Sequence, residues 1–595
     1  MGKYTTLVQV LDALRKEAPT ENRRYHAGKN EIEKINNARS RAFIHLYLKV
    51  KFGILDFSQR EKLITDDKDD GGIDAYYIDQ LHKTVHVIQA KFRTNEQNFE
   101  EKQIDLDDLV KMEIDEIVKG DENGSNGRPY NGKIKQLQRD ITNTRLISQY
   151  KYKIVILANF KTHKFLAKMY KDYDIEIFDY EKSYSQLVFP VISGTYFKAG
   201  DLHISINLDN TSGGNTRVSY TATTSDLEAN VTLIFAPVRE IGAMMSKYRN
   251  SILEYNPRSY LGLSKNPVNS SIASTITEST TNEFALFNNG ITIVADEAGY
   301  SDKTGKKGIA HLDLVNPQII NGGQTAYTLC KIHDDVNQNK IDASVFKNKE
   351  VLLKIITVDP EASSKKHRQI LIEKISRATN HQTNIDDADR RSNEKIQIEL
   401  QKLFYEKYGL FYERKAGEFF DGIDAKYIDK KLLVDREQLM RVALAESFRI
   451  SETRAQIHNF FSAEAFYNPP LNEELIDKYA FGYACFQYLS SEVSRSRKEK
   501  KPYYTEKFGT ALRYGRYGVV SVALNQLWVD ENSDIATIAK AILYQWKDFE
   551  INVRKKKINK KYFTDTHADW VSYYKGDTIN KDISTYRFKS AKKHK

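Results

Sequence analysis

Apolar positions from residue 31 to 50 recur at helical intervals: Ile32, Ile35, Ala38, Ala42, Phe43, Leu46 and Val50 form one stripe, and Gly53 closes the run. The period then changes. Residues 73–78 and 84–92 alternate apolar and polar side chains across a polar turn, as paired strands do. Helical spacing returns in an acidic stretch, 105–118, and a basic one, 133–148, on either side of a glycine-rich loop at 120–132. Strands at 153–160 and 174–180 complete an α/β block. Residues 201–226, rich in Ser, Thr, Asn and Gly, read as strands with turns or as a connection. Beyond them the pattern predicts strands at 284–287 and 291–295 around an Asn288-Asn289-Gly290 hairpin turn, a strand at 351–358 and a helix over 362–378. The rest is helical and rich in tyrosine. The expected fold class is a multidomain α/β protein divided at 1–185, 186–230, 231–451 and 452–595, with the first 60 residues and the last segment mostly helical.

Composition narrows this. A chain of 595 residues exceeds what one core supports. No apolar run is long enough to span a bilayer, and residues 1–18 are broken by Asp12, Arg15, Lys16 and Glu17, so no signal peptide or membrane partner is expected and the cytoplasm is the expected location. Two distant cysteines, Cys330 and Cys485, argue against a disulfide framework or a thiolate zinc site. The net charge is +10. Two basic clusters, Arg495 to Lys501 and Arg554 to Lys561, fit either a phosphate-tracking surface or solvated helix faces. Arg513, Tyr514, Arg516 and Tyr517 interleave cations with rings, a pattern shared by single-strand clamps and by ordinary core packing.

The candidate chemistry sits on the first strand pair. Asp74 follows Gly71-Gly72-Ile73, and Gln89 and Lys91 share one face of the next strand, with Ile88 and Ala90 on the other. A carboxylate and an amide oxygen suit a hard divalent cation, and a lysine beside them can stabilise developing negative charge. The same residues also suit a turn and the solvated face of a strand. Gly72-Ile73-Asp74 and Ile88-Gln89-Ala90-Lys91 resemble the PD-(D/E)xK nuclease superfamily, in its Mrr-like branch, where Gln replaces an acidic residue. The similarity covers about residues 30–185. It implies a restriction-endonuclease-like α/β domain, Mg²⁺ or Mn²⁺ as cofactor, catalytic Asp74, Gln89 and Lys91, and Asp74 and Gln89 as metal ligands. One element departs from it: the branch has a glutamate after a helix phenylalanine, whereas Phe43 precedes Ile44, leaving Glu31 and Glu33 as upstream substitutes.

A second constellation runs from Asn316 through Asn321-Gly322-Gly323-Gln324-Thr325 into a helix over 326–332. A glycine pair before a helix either presents N–H groups to an anion or makes a tight turn in which Asn and Gln bond their own backbone. It lacks the Lys-Ser/Thr of a P-loop. Together with segments 258–262, 288–292 and 377–382, it resembles the AIPR family (abortive infection and phage resistance) over about residues 230–450, and more loosely the DGQHR-type domains of the ParB-like superfamily. The resemblance implies a role in prokaryotic defence and ligand- or nucleic-acid-binding candidates Asn289, Asn321, Gly322, Gly323, Gln324, Arg377 and Asn380, with residues 412–415 adding charge. The functional expectation is a metal-dependent endonuclease acting on nucleic acid, DNA ahead of RNA, under control of the AIPR region. A defence-system partner protein and homo-oligomerisation stay open. The alternative is a non-hydrolytic nucleic-acid or nucleotide sensor with a degenerate nuclease domain.

Overall fold

The computed structural model describes residues 2–161, 166, 168–197, 202–209, 217–223, 228–256, 267–358, 372, 374–375, 392, 394–454, 472–499, 505–530, 532–564 and 568–590. The chain is mixed α/β and forms two compact units: Met1–Thr383 with Lys415–Lys430, and Asn384–Arg414 with Lys431–Lys595.

In the first unit, helices α1 (Lys3–Arg15) and α2 (Ile32–Phe52) precede a four-stranded sheet of β1 (Ala75–Asp79), β2 (Thr84–Ala90), β3 (Lys151–Leu157) and β4 (Asp174–Ile177), in that order. β1 and β2 are antiparallel, while β2, β3 and β4 run parallel. Both faces are covered. On one, Phe52 of α2 stacks on Tyr77 with ring centroids 4.0 Å apart. On the other, Tyr76, Val87, Ile154 and Ile156 pack with Ile134, Leu137 and Ile141 of the helix Gly132–Asn143. Those three helix positions lie on one stripe, and burying each contributes roughly 1.5–3 kcal/mol. Asn131 caps that helix by accepting from the Lys133 and Ile134 N–H groups. The predicted helix over 105–118 is instead two short ones, Leu106–Val110 and Ile114–Lys119. The break has a cause: the Glu113 N–H leaves the helical ladder and donates to the Gly71 carbonyl at 2.9 Å.

The same unit holds two further sheets. One orders β5 (His203–Asp209), β10 (Ile309–Val315) and β9 (Glu297–Ser301); the other orders β11 (Gln318–Asn321), β8 (Ile291–Ala295), β12 (Glu350–Thr357), β7 (Glu228–Pro237) and β6 (Arg217–Thr223). Helices Val238–Tyr248 and Gly323–Asn337 join their strands in one core. Phe284–Phe287, expected as a strand, is a helical turn, with Phe287 and Asn288 N–H groups donating to Glu283 and Phe284 carbonyls. Leu286 and Phe287 are exposed, so the run has no strand partner to bury it. Asn289-Gly290 therefore links a helix to β8 and is not a hairpin turn. The predicted helix over 362–378 lies outside the described residues apart from isolated positions.

The second unit is mainly helical. Its short parallel pair, Phe411–Glu413 with Leu433–Asp435, accompanies helices that include Arg436–Glu446, Glu473–Lys498, Arg516–Val522 and Ile535–Lys555. Trp546, Phe549, Tyr573 and Tyr574 lie at its centre. Among the described residues no helix is long and apolar enough to cross a membrane.

Candidate metal centre

The segment before β1 is folded back on itself. Thr65 and Asp66 N–H groups both donate to the Asp74 carbonyl, at 2.8 and 3.1 Å, and Ile73 N–H donates to the Asp70 carbonyl. Gly72 makes this possible. Its φ is +73°, and a Cβ there would lie 3.0 Å from the Lys111 carbonyl oxygen and 3.1 Å from Met112 Cα. The glycine thus admits the protein's own backbone. The fold-back gathers three carboxylates, one oxygen from each of Asp66, Asp70 and Asp74 lying within 4.8 Å of the others.

Asp74 is anchored against the end of β2. Its N–H donates to the Ile88 carbonyl at 2.9 Å, and the Ala90 N–H donates to its Oδ2 at 2.6 Å. Burial pushes its carboxyl up to about 8. The Ala90 hydrogen bond opposes that rise, and the charges of Asp66 and Asp70 add to it. Asp70 is also raised, chiefly by burial. A carboxylate group destabilised by its own neighbours is a place where added positive charge is favoured.

Gln89 is buried, 9% exposed, and its Oε1 has no hydrogen-bond partner. It sits two residues beyond Val87 on the covered face, so the solvated-strand reading fails for it. An orphaned buried oxygen costs about 1–3 kcal/mol unless something binds it. Gln89 lies between Ile88 and Ala90, the two residues whose main chain bonds Asp74, and carboxylates with an amide oxygen are the all-oxygen donors that Mg²⁺ or Mn²⁺ takes. Lys91 follows at the strand end and pairs with Asp108 at 3.0 Å.

Glu31 and Glu33, both exposed at the start of α2, do not belong to the cluster of Asp66, Asp70 and Asp74. Glu31 binds Lys34 and the Gly28 N–H at the start of α2. Arg41, the α2 residue that reaches the cluster, lies about 15 Å farther along the helix axis. Its guanidinium spans Asp66 Oδ2 and Glu61 Oε1, both at 3.0 Å. Burial alone would raise Glu61, but the His45 hydrogen bond, Arg41 and Tyr25 together bring it down to about 2, so it holds Arg41 as a fixed anion. Asp66 and Asp70 escaped the reading of motifs, although carboxylates at every fourth position ahead of the glycine pair were the available signal.

The second constellation is brought together only in part. Gly322 has φ +82°, and a Cβ on it would meet the Gly290 carbonyl oxygen at 2.8 Å and Ile291 Cα at 2.9 Å, so the two turns touch. Asn321 Oδ1 accepts from the Gly322 N–H, Asn288 Oδ1 from the Gly290 N–H, and Gln324 Oε1 from Asn269. These are bonds of a self-supporting turn. The helix begins at Gly323, earlier than expected. Asn289 is exposed. Lys415 adds no surface charge, being buried and donating to the Leu253 and Glu254 carbonyls. Arg377, Asn380 and segment 258–262 lie outside the described residues. Gly322→Ala is expected to destabilise the protein by about 1–3 kcal/mol, since both clashing atoms are backbone. A thermal midpoint equal to that of the wild type would refute the close approach.

A profile of the AIPR protein family matches residues 253–574, while no curated protein and no solved structure matches the chain. The match takes in the Asn288–Gly290 and Asn321–Gly323 turns and most of the helical unit. It spans more than half of the 595 residues, so the chain belongs to the AIPR family, whose name ties it to abortive infection and anti-phage defence.

Proposed function

We propose that the protein is a defence nuclease whose N-terminal sheet hydrolyses phosphodiester bonds of nucleic acid, DNA ahead of RNA, with Mg²⁺ or Mn²⁺ held by Asp66, Asp70, Asp74 and Gln89. The observation that carries this reading is the cluster of Asp66, Asp70 and Asp74, in which burial and neighbouring charge disfavour ionised Asp70 and Asp74, at the strand end that also holds the orphaned Gln89 oxygen. A divalent cation there supplies Lewis acidity toward a phosphoryl oxygen and lowers the pKa of a water. The chain's own residues do the rest. Ala90 N–H fixes the Asp74 carboxylate, and Arg41 orients Asp66 from α2. Lys91, released from Asp108, places a positive charge where negative charge develops on the phosphate. The resemblance of Asp74, Gln89 and Lys91 to the PD-(D/E)xK pattern supports the same assignment, and the AIPR region is the regulatory part.

The second reading, a non-hydrolytic sensor, draws on Lys91 and Arg41, both already engaged by carboxylates. Plasmid DNA and RNA incubated with the protein in Mg²⁺ or Mn²⁺, with and without chelator, separate the two. Cleavage that chelator abolishes and Lys91→Ala weakens is the expected result. Cleavage indifferent to chelator, or salt-dependent binding without any cleavage, overturns the nuclease reading.

A further inference from the structure

The helical unit contains a cavity of about 370 Å³ whose lining is rich in cations. Arg441, Arg454, Arg513, Arg516 and Lys575 line it, together with Tyr514 and Tyr517, and among the described residues no acidic side chain does. Four separate stretches of chain supply them: the helix Arg436–Glu446, the turn Ile450–Arg454, the approach to Arg516–Val522, and the last residue of Trp570–Lys575. Local sequence therefore does not account for the clustering. The fold gathers it.

Arg441 has Glu437 at 4.0 Å on its own helix. Arg516 donates to Ser490 Oγ at 3.0 Å and lies over the Phe486 ring. Among the described residues, no carboxylate lies within ion-pair distance of Arg454, Arg513 or Lys575. Instead, rings hold the guanidinium groups: Arg454 sits 5.2 Å from the Tyr514 centroid and 5.8 Å from that of Tyr574, and Arg513 sits 4.9 Å from Tyr514. Burial pushes Arg454 below its ordinary value, and Arg516 adds repulsion. Glu550 accepts from the Thr510 N–H and hydroxyl and from Tyr574, so it is bound elsewhere. Tyr514, Tyr517 and Tyr574 belong to the unit's hydrophobic core, which makes the wall a fixed one.

Like charges held together cost free energy that a multiply charged anion offsets. Planar guanidinium groups oriented by stacking match phosphate oxygens in pairs, and the volume lies in the range of small-ligand sites. A carboxylate brings too little charge for this cavity. We propose that it binds a terminal phosphate of a nucleotide, free or at the 5′ end of a strand, with Arg454, Arg513 and Lys575 as the primary contacts. The site lies apart in sequence from the Asp74 cluster, and its occupancy does not depend on the nuclease reading.

Calorimetry on the full chain tests it with a nucleoside triphosphate, a 5′-phosphorylated oligonucleotide and the same oligonucleotide ending in a 5′-hydroxyl. Arg513 and Lys575 are exposed at the rim, so an Arg513→Gln, Lys575→Gln variant is expected to keep its circular dichroism spectrum. Binding of the triphosphate alone identifies a free nucleotide, and binding of the 5′-phosphorylated strand over the hydroxyl strand identifies a strand end. In either case the double variant weakens binding by about tenfold or more. Absence of binding by every phosphate compound, equal binding of the two oligonucleotides without binding of the triphosphate, or binding unaltered in the variant overturns the proposal.

Discussion

Asp74→Asn is expected to lower metal-dependent cleavage by about a thousandfold or more while leaving the protein at least as stable as the wild type. The amide keeps an oxygen to accept the Ala90 N–H, so the end of β2 keeps its anchor. What it loses is the charge of the central ligand, and of the two remaining carboxylates Asp66 is already shared with Arg41. Removing a group whose contribution is realised only in the reacting complex costs activity on that scale. The stability half has its own sign. The folded-state pKa of Asp74 is pushed up to about 8 from an ordinary 3.8. Stability linked to this group is therefore full below about 3.8 and falls as the pH rises toward 8, where the buried carboxylate must ionise. Asparagine cannot ionise, so at pH 8 the variant escapes that loss. Urea unfolding at pH 8 together with a cleavage assay reads both halves. A variant that loses activity only in proportion to lost stability would mark Asp74 as structural.

Local and non-local signals decide which parts of the candidate site were legible in the sequence. Asp74, Gln89 and Lys91 could be read because strand alternation and the glycine pair are local signals. Asp66 and Asp70 were signalled only by carboxylates at every fourth position, a weak signal because a run of Asp and Lys before a strand looks like any polar turn. Only the bonds from Thr65 and Asp66 back to the Asp74 carbonyl make it a cluster. The strands 291–295 and 351–358 were read nearly to the residue, since burial on both faces leaves continuous apolar runs. Phe284–Phe287 fails by the same logic: four apolar residues carry no period, and nothing in the sequence announces that Leu286 and Phe287 face outward. The basic cavity of the helical unit was visible only as alternating Arg and Tyr, because Arg441 and Lys575 join it through tertiary packing.

Glu17→Ala is expected to destabilise the first unit by roughly 3 kcal/mol, because it leaves the buried Arg60 without its carboxylate. Glu17 follows α1 and joins two cations that would otherwise be buried alone. Its Oε1 lies 2.8 Å from Lys49 Nζ of α2, and its Oε2 accepts from Arg60 on the helix Phe57–Lys62. The Arg60 side chain is wholly buried, and its remaining bonds go to main-chain carbonyls such as Leu55. Burial by itself would raise the Glu17 carboxyl, but Lys49 and Arg60 outweigh it and bring it down to about 2 from an ordinary 4.5. The sign follows. This stability is present above about 4.5 and is lost as the pH falls toward 2. Tryptophan emission does not report the loss, because Trp528, Trp546 and Trp570 all belong to the second unit. Far-UV circular dichroism and amide exchange over α1 and α2 do. Between pH 7 and pH 3 the gap between wild type and variant should narrow, because the wild type then gives up what the variant never had. A gap that stays constant across that range would place the anchoring of α1 in apolar contacts rather than in this ion pair.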